Sequence, residues 1–247
     1  LQPAAPRSLT AAAQAGEADA VILDMHVHTV ASDDSTATIT GYIDLILAYR
    51  QFLPFDGFVL TEHRTYTPGL ALHHYWDDYG VRVFQGVEMD TNLGHLLVYG
   101  VNERVLERFD FTKRMHDGRR IIAELENLGA VAVPSHPFRE SVFGSVIERN
   151  FTEVAGIRIL ERYNGQNNDK QNERADALCA QHALCGLGGS DAHYVHPAWF
   201  LTCATAFDDT ITSAEELVEA LHYGHYCPVT LPTVDATHLP VPRPIVG

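Results

Sequence analysis

Cysteine is scarce in this 247-residue sequence, which has four in all, at positions 179, 185, 203 and 227. They form no Cys-x-x-Cys and no framework spacing, which argues against a zinc ribbon or a disulfide scaffold and leaves reduced, mostly buried thiols. Positive charge is also thin: 17 Lys and Arg stand against 32 Asp and Glu, a net charge of −15. Gripping a nucleic-acid backbone takes a basic face, so strong nucleic-acid backbone binding is not expected. Divalent cations in a carboxylate-bearing site would offset part of the negative charge. No run approaches the roughly 20 apolar residues of a membrane span, so no membrane partner is expected and the reading is a cytoplasmic protein. Residues 1–20 lack the charged start and apolar core of a signal peptide and read as a flexible arm. The hydrophobic fraction of 46% is ordinary for a globular chain, and the length suits one α/β barrel or two small domains.

Strand-like and helical patterns alternate along the rest. An apolar run ends in DMHVHTVASDD (24–34), and ITGYIDLILAYRQF (39–52) has helical spacing closed by Pro54. Strands follow at 55–63, 81–90 and 94–101, then a helix at 119–129 with Gly129 as its stop, and a strand at 130–137 ending in Ser-His-Pro. A strand at 156–165, a helix at 168–183 and a strand at 184–193 come next. The last helix, 213–224, opens with Ser213 and Glu216 spaced as a capping box. Residues 228–247 carry five prolines and form a tail. Strands alternating with helices imply parallel pairing with right-handed crossovers. The polar candidates all fall at the C-terminal ends of predicted strands, which favours a closed barrel over an open sheet. The expected domains are the arm (1–20), a barrel (21–227) and the tail (228–247).

Histidine is what the sequence has in quantity, 14 in all. In a strand, His26 and His28 leave the same side two residues apart and can grip one cation together. At this histidine frequency a His-x-His arises about once by chance, so its partners decide the matter. In chain order the potential ligands are His26, His28, Asp33, His63, Glu88, His95, His136, Asp191 and His193. Imidazole with carboxylate suits Zn, Mn or Fe, and the number exceeds what one tetrahedral ion uses, so two or three divalent ions are implied. A glutamate among histidines is suited to bridging two of them.

The motifs DMHVHT with SDD beyond it, TEH (61–63), GVE (86–88), HLLVYG (95–100), PSHP (134–137), ERYNG (161–165) and GGSDAH (188–193) occur in an order similar to that of the polymerase and histidinol phosphatase (PHP) superfamily. This resemblance covers roughly residues 21–227. It implies an α/β fold of the PHP type, a distorted TIM-like (β/α)7 barrel with the metal site at the C-terminal ends of the strands, and usually phosphoester hydrolysis. It also implies that His26, His28, Glu88 and Asp191 hold a first ion, with Glu88 bridging. His95 and His136 complete a second, and Asp33, His63 and His193 hold a third. The family often has Asp where Glu62 stands and Gly where Asp34 follows Asp33, departures that leave every ligand in place.

The implied chemistry is attack on a monoester or diester of a small metabolite or nucleotide by metal-activated hydroxide, with the same ions offsetting charge on the phosphoryl oxygens. Asp33, His63, Glu88 and His193 are the expected catalytic residues, with His or Asp near the third ion protonating the leaving alcohol. Arg139, Arg64 and His196 are the expected substrate contacts, the arginines because a guanidinium fork matches phosphate. Tyr75, Trp76 and Tyr79 read as a core cluster. Two other functions compete. An amidohydrolase-like enzyme cleaving C–N or C–O bonds would use a bridging carbamylated lysine, yet Lys113 and Lys170 are the only lysines and neither lies in an apolar strand. A non-catalytic PHP module would have lost ligands.

Overall fold

The seven residues of β1 (Val21–Val27) are all buried, as expected of a strand covered on both faces. In this computed structural model, which describes residues 20–140, 151 and 154–231, β1 is the middle of a five-stranded sheet. Its neighbours on one side are β2 (Gly57–Leu60) and β3 (Arg82–Gln85), both parallel. On the other side lie β9 (Cys203–Phe207) and β10 (Tyr226–Thr230), which run antiparallel as a pair joined through a helix. A second sheet is an antiparallel meander of β4 (Val87–Thr91), β5 (Gly94–Tyr99) and β6 (Val131–Pro134). The third pairs β7 (Ile159–Asn164) with β8 (Cys185–Gly189) in parallel.

Seven α-helices connect these strands among the described residues: α1 (Ile39–Tyr49), α2 (His74–Tyr79), α3 (Glu103–Arg108), α4 (Gly118–Leu125), α5 (Asp169–His182), α6 (Pro197–Phe200) and α7 (Ala214–Tyr223). Their ends follow local chemistry. The Thr38 side chain accepts from Gly41 N at the start of α1, and Asn168 with Gln171 completes a capping box on α5. At α7, Ser213 accepts from Glu216 N, but the Glu216 carboxylate takes the Thr212 N–H and hydroxyl instead of closing the expected box. Gly129 ends the turn after α4 at φ 80°.

Three expectations about the fold change here. Pairing is mixed, not uniformly parallel, and no closed ladder of strands is formed: the described strands fall into three sheets. The stretch 81–90 is two strands in different sheets, broken at Gly86, where a β-carbon would stand 2.6 Å from the Val98 carbonyl oxygen. Trp76 and Tyr79 are exposed, not core, and the Arg82 guanidinium lies 4.1 Å from the centre of the Trp76 ring. The arm up to residue 19 and the tail from 232 lie outside the described residues, and β10 runs three residues past the expected barrel boundary at 227.

The sheets meet where their strands end. Parallel bridges join Val27 to Ala192 and His63 to Glu88. Around them Asp191 N donates to His26 O, His28 N to Ala192 O, and Glu88 N to Glu62 O. Gly189 permits this approach, since a β-carbon there would fall 2.5 Å from His26 Cβ. Below the strand ends, one core cluster draws Leu23 and Met25 from β1, Leu97 and Val133 from the meander, and Ile159 and Leu187 from the third sheet. The burial of these side chains supplies the main driving force for bringing the strand ends together.

Candidate metal centre

His26 and His28 leave β1 on the same side, as strand alternation requires, and their Nε2 atoms stand 3.0 Å apart. Each ring is oriented from behind. His26 Nδ1 donates to Glu161 Oε1 at 2.7 Å, because a carboxylate oxygen can only accept. His28 Nδ1 donates to Ser32 Oγ at 3.2 Å, whose own hydrogen goes to Glu62 Oε2 at 2.6 Å. Both Nε2 lone pairs are thereby directed at each other. They also face Asp191 Oδ1 at 3.3 Å and Glu88 Oε2 at 3.3 Å. Four buried acceptors converge on one point, an arrangement that only a cation or protons can satisfy. Ligands at about 2.1 Å from one ion lie about 3.0–3.4 Å from one another, in keeping with these separations.

Glu88 occupies the middle of the site. Its Oε1 lies 3.0 Å from His95 Nδ1 and 3.1 Å from His136 Nε2, while its Oε2 faces His26, His28 and His63 Nδ1, the last at 3.1 Å. The two oxygens thus face two different sets of imidazoles. Glu88 Oε2, His63 Nδ1 and His136 Nδ1 are buried without a hydrogen-bond partner among the described residues. Buried polar atoms left in this condition are costly, and donors of this kind fit divalent transition ions. Potential ligand atoms lie within 4.8 Å of one another in the groups His26–His28–Asp191, Glu88–His95–His136, His28–His63–His193 and His63–Asp90–His95.

Proton affinities carry the same message. Burial opposes charge on His26, yet Asp191, Glu161 and Glu88 raise its pKa well above the ordinary imidazole value. His28, held by Asp191 and Glu88 against burial, rises to about 9. Glu88 and Asp191 are held well below the usual carboxylate range, against burial, by the histidines around them and, for Asp191, by Arg139. Positive charge is favoured around His26 and His28, whereas burial lowers His63 and His136.

Not every expected residue joins it. Asp33 is two-thirds exposed and accepts from Arg64 Nη2 at 3.0 Å. The carboxylate facing His63 and His193 belongs to Asp34, with Oδ2 3.3 Å from His63 Nε2 and Oδ1 3.5 Å from His193 Nε2. Arg64 is tied between Asp33 and the buried Asp90. Arg139 contacts Asp191, Asn164 and Asn167. His196 is exposed and accepts from Ala198 N through its Nδ1, so the structure makes it the N-cap of α6 and gives it no contact with the cluster. Three site residues, Arg64 (φ 54°), His136 (φ 32°) and Asp191 (φ 56°), have left-handed backbone that side chains other than glycine rarely adopt.

Two carboxylates went unread in the sequence. Glu161 orients His26 and also takes the His136 N–H on its second oxygen at 2.5 Å. Asp90 Oδ1 lies 3.3 Å from His95 Nε2, the side of that ring away from Glu88. Glu161 was visible inside ERYNG, and Asp90 two residues after Glu88 on the same face of β4, but an orienting role leaves no spacing of its own.

Fold and geometry together gather His, Asp and Glu side chains that could hold metal at one place in an α/β protein. A family model described as PHP-associated matches residues 169–226. The resemblance to the PHP superfamily carried by the motifs therefore holds. A search of curated proteins finds no match. Among solved structures, PsfC from Pseudomonas syringae PB-5123 aligns with TM-score 0.63 at 19% identity, over 87% of this chain and 92% of that one. Endonuclease Q, in complex with a 27-mer duplex bearing an abasic lesion at the active site, aligns with TM-score 0.60 at 17% identity. That alignment covers 84% of this chain and 58% of Endonuclease Q. A metal-dependent phosphoesterase, so described, from Bifidobacterium adolescentis aligns with TM-score 0.50 at 19% identity, over 69% and 87%. At these identities the likeness is one of fold.

The expectation of no strong nucleic-acid backbone binding is overturned. Endonuclease Q, which shares this fold over 58% of its length, is seen in complex with a DNA duplex, so a low overall positive charge does not exclude such a partner. Net charge sums over the whole surface, whereas one phosphodiester in a cleft responds to local charge, which bound cations and nearby arginines reverse. The membrane expectation is tested only in one respect: among the described residues no helix is long and apolar enough to cross a membrane.

Proposed function

We propose that this protein is a metal-dependent hydrolase acting on a phosphoester. The observation that carries the reading is Glu88, buried between two sets of histidines with one oxygen turned to each. In this reading His26, His28, Asp191 and Glu88 hold one divalent ion, Glu88, His95 and His136 a second, and His63, His193 and Asp34 a third. Divalent ions bound there supply charge that binds phosphoryl oxygens and turns water into a nucleophile near neutral pH.

The protein's own groups do the rest. Glu161, Ser32 and Asp90 fix the tautomers of His26, His28 and His95, so that lone pairs face inward before any substrate arrives. The Asp34, His63 and His193 group lies at the more open side of the cluster, where solvent can reach the departing alkoxide and supply its proton. Arg64, already neutralised by Asp33 and Asp90, contributes through its remaining N–H groups at the mouth. The three sheets act as staves of a distorted barrel, a reading supported by a core cluster that draws on all of them.

The substrate class extends from phosphomonoesters to phosphodiesters, nucleic acid included, because Endonuclease Q is seen with a DNA duplex. An amidohydrolase-like chemistry gains no support from a bridging lysine: Lys113 pairs with Asp110 at the surface and Lys170 is exposed on α5. The testing experiment assays the Mn-, Zn- and Fe-reconstituted protein against p-nitrophenyl phosphate, bis(p-nitrophenyl) phosphate, an abasic-site duplex and an anilide. Metal-dependent turnover of a phosphoester is expected. Turnover of the anilide alone would replace the proposal.

A further inference from the structure

Asp191 has one oxygen turned inward and one turned away from the histidines. Oδ1 faces the Nε2 atoms of His26 and His28, while Oδ2 accepts from Arg139 Nη1 at 2.6 Å and from Asn164 Nδ2 at 3.3 Å. Two donors on Oδ2 occupy both of its lone pairs. Arg139 is itself immobilised, since Nη2 donates to Asn164 Oδ1 at 2.6 Å and Nε to Asn167 Oδ1 at 3.1 Å. The guanidinium thus ties the turn after β6 to the ends of β7 and β8, with three of its five N–H groups engaged.

We infer that Arg139 is a positioning residue that holds Asp191 to a single ligating oxygen and thereby sets which ions the first cation position accepts. The inference rests on the metal-site reading above. With Oδ2 held, Asp191 offers only Oδ1, a geometry suited to small ions with few ligands. Calcium takes six to eight oxygens at longer distances and readily uses both oxygens of a carboxylate. Freeing Oδ2 shifts preference toward the larger ion. Removing the guanidinium also removes a positive charge beside the site, and that change acts alike on any divalent ion. The ratio of two affinities therefore isolates the geometric effect from the electrostatic one.

The experiment measures dissociation constants of Zn2+ and Ca2+ for the full chain, the parent against Arg139→Met and Arg139→Lys, together with inorganic phosphate affinity of the zinc-loaded proteins. Arg139→Met is expected to raise calcium affinity relative to zinc by about tenfold, the scale on which groups orienting metal ligands act. Arg139→Lys, which keeps a charged donor for Oδ2, is expected to stay near the parent. Should Arg139→Met fail to fold, Asn164→Ser removes the second donor to Oδ2 and shifts the ratio the same way by less. An unchanged ratio in a folded variant, with phosphate affinity lost, would overturn the inference and make Arg139 a phosphate clamp. Failure of the parent to bind zinc at all would instead overturn the metal-site reading beneath it.

Discussion

Glu161 accepts from His26 Nδ1 at 2.7 Å through one oxygen, which leaves its other oxygen to accept the His136 backbone N–H. Two donors on separate sides require two acceptor oxygens, and glutamine has one. Glu161→Gln therefore sets an amide N–H against either His26 Nδ1–H or His136 N–H, freeing one histidine to turn. We expect metal affinity to fall about 10- to 100-fold, read by competition with a chelator. Parent-like affinity in that variant would show that the ring orientations do not depend on Glu161.

Asp33 and Asp34 are neighbours with opposite surroundings. Asp34 faces His63 and His193, whereas Asp33 pairs with Arg64. Asp34→Asn should therefore lower the number of ions retained after gel filtration, and Asp33→Asn should leave it unchanged. Elemental analysis of the two variants side by side checks this. The reverse pattern would return Asp33 to the ligand set.

Metal uptake should release protons. Without metal, carboxylate neighbours hold His28 and His95 at about 9 despite burial, so both are protonated at pH 7. A cation must displace those protons, and affinity should rise between pH 7 and pH 9 by up to about one decade per pH unit for each proton displaced. His63, lowered to about 4 by burial, is already neutral at pH 7 and adds nothing in this window. Calorimetry in buffers of different ionisation enthalpy counts the protons directly. Affinity independent of pH would contradict the electrostatics described for the cluster.

Much of the site was legible because its residues sit at strand ends in a repeating order. His26 and His28 share a face by alternation alone, and His63, His136 and Asp191 each follow the end of a strand, whereas Glu88 is the second residue of β4, just past the end of β3. Asp33 and Asp34 could not be separated in the same way, since Asp33 is drawn off by Arg64, 31 residues on. Arg139 read as a free phosphate fork because its partners, Asn164, Asn167 and Asp191, come from strands that meet it only in the fold. The parallel barrel failed as a pattern argument at Gly86, where one apparent strand is shared between two sheets. It failed again at β9 and β10, whose antiparallel pairing brackets the helix α7 and mimics a β/α repeat.

Glu88 is read above as a carboxylate shared by two cation positions, and one comparison decides whether it is. The parent and Glu88→Gln are stripped of metal, reloaded with manganese, and measured for bound metal and phosphoester turnover on the same preparations. In Glu88→Gln an amide N–H group replaces an acceptor oxygen that faces imidazole nitrogens on either side. We expect two or more ions per chain in the parent, at least one fewer in the variant, and loss of turnover by about two decades or more. One ion or fewer in the parent, or a Glu88→Gln variant with the parent's metal content and activity, would contradict this reading.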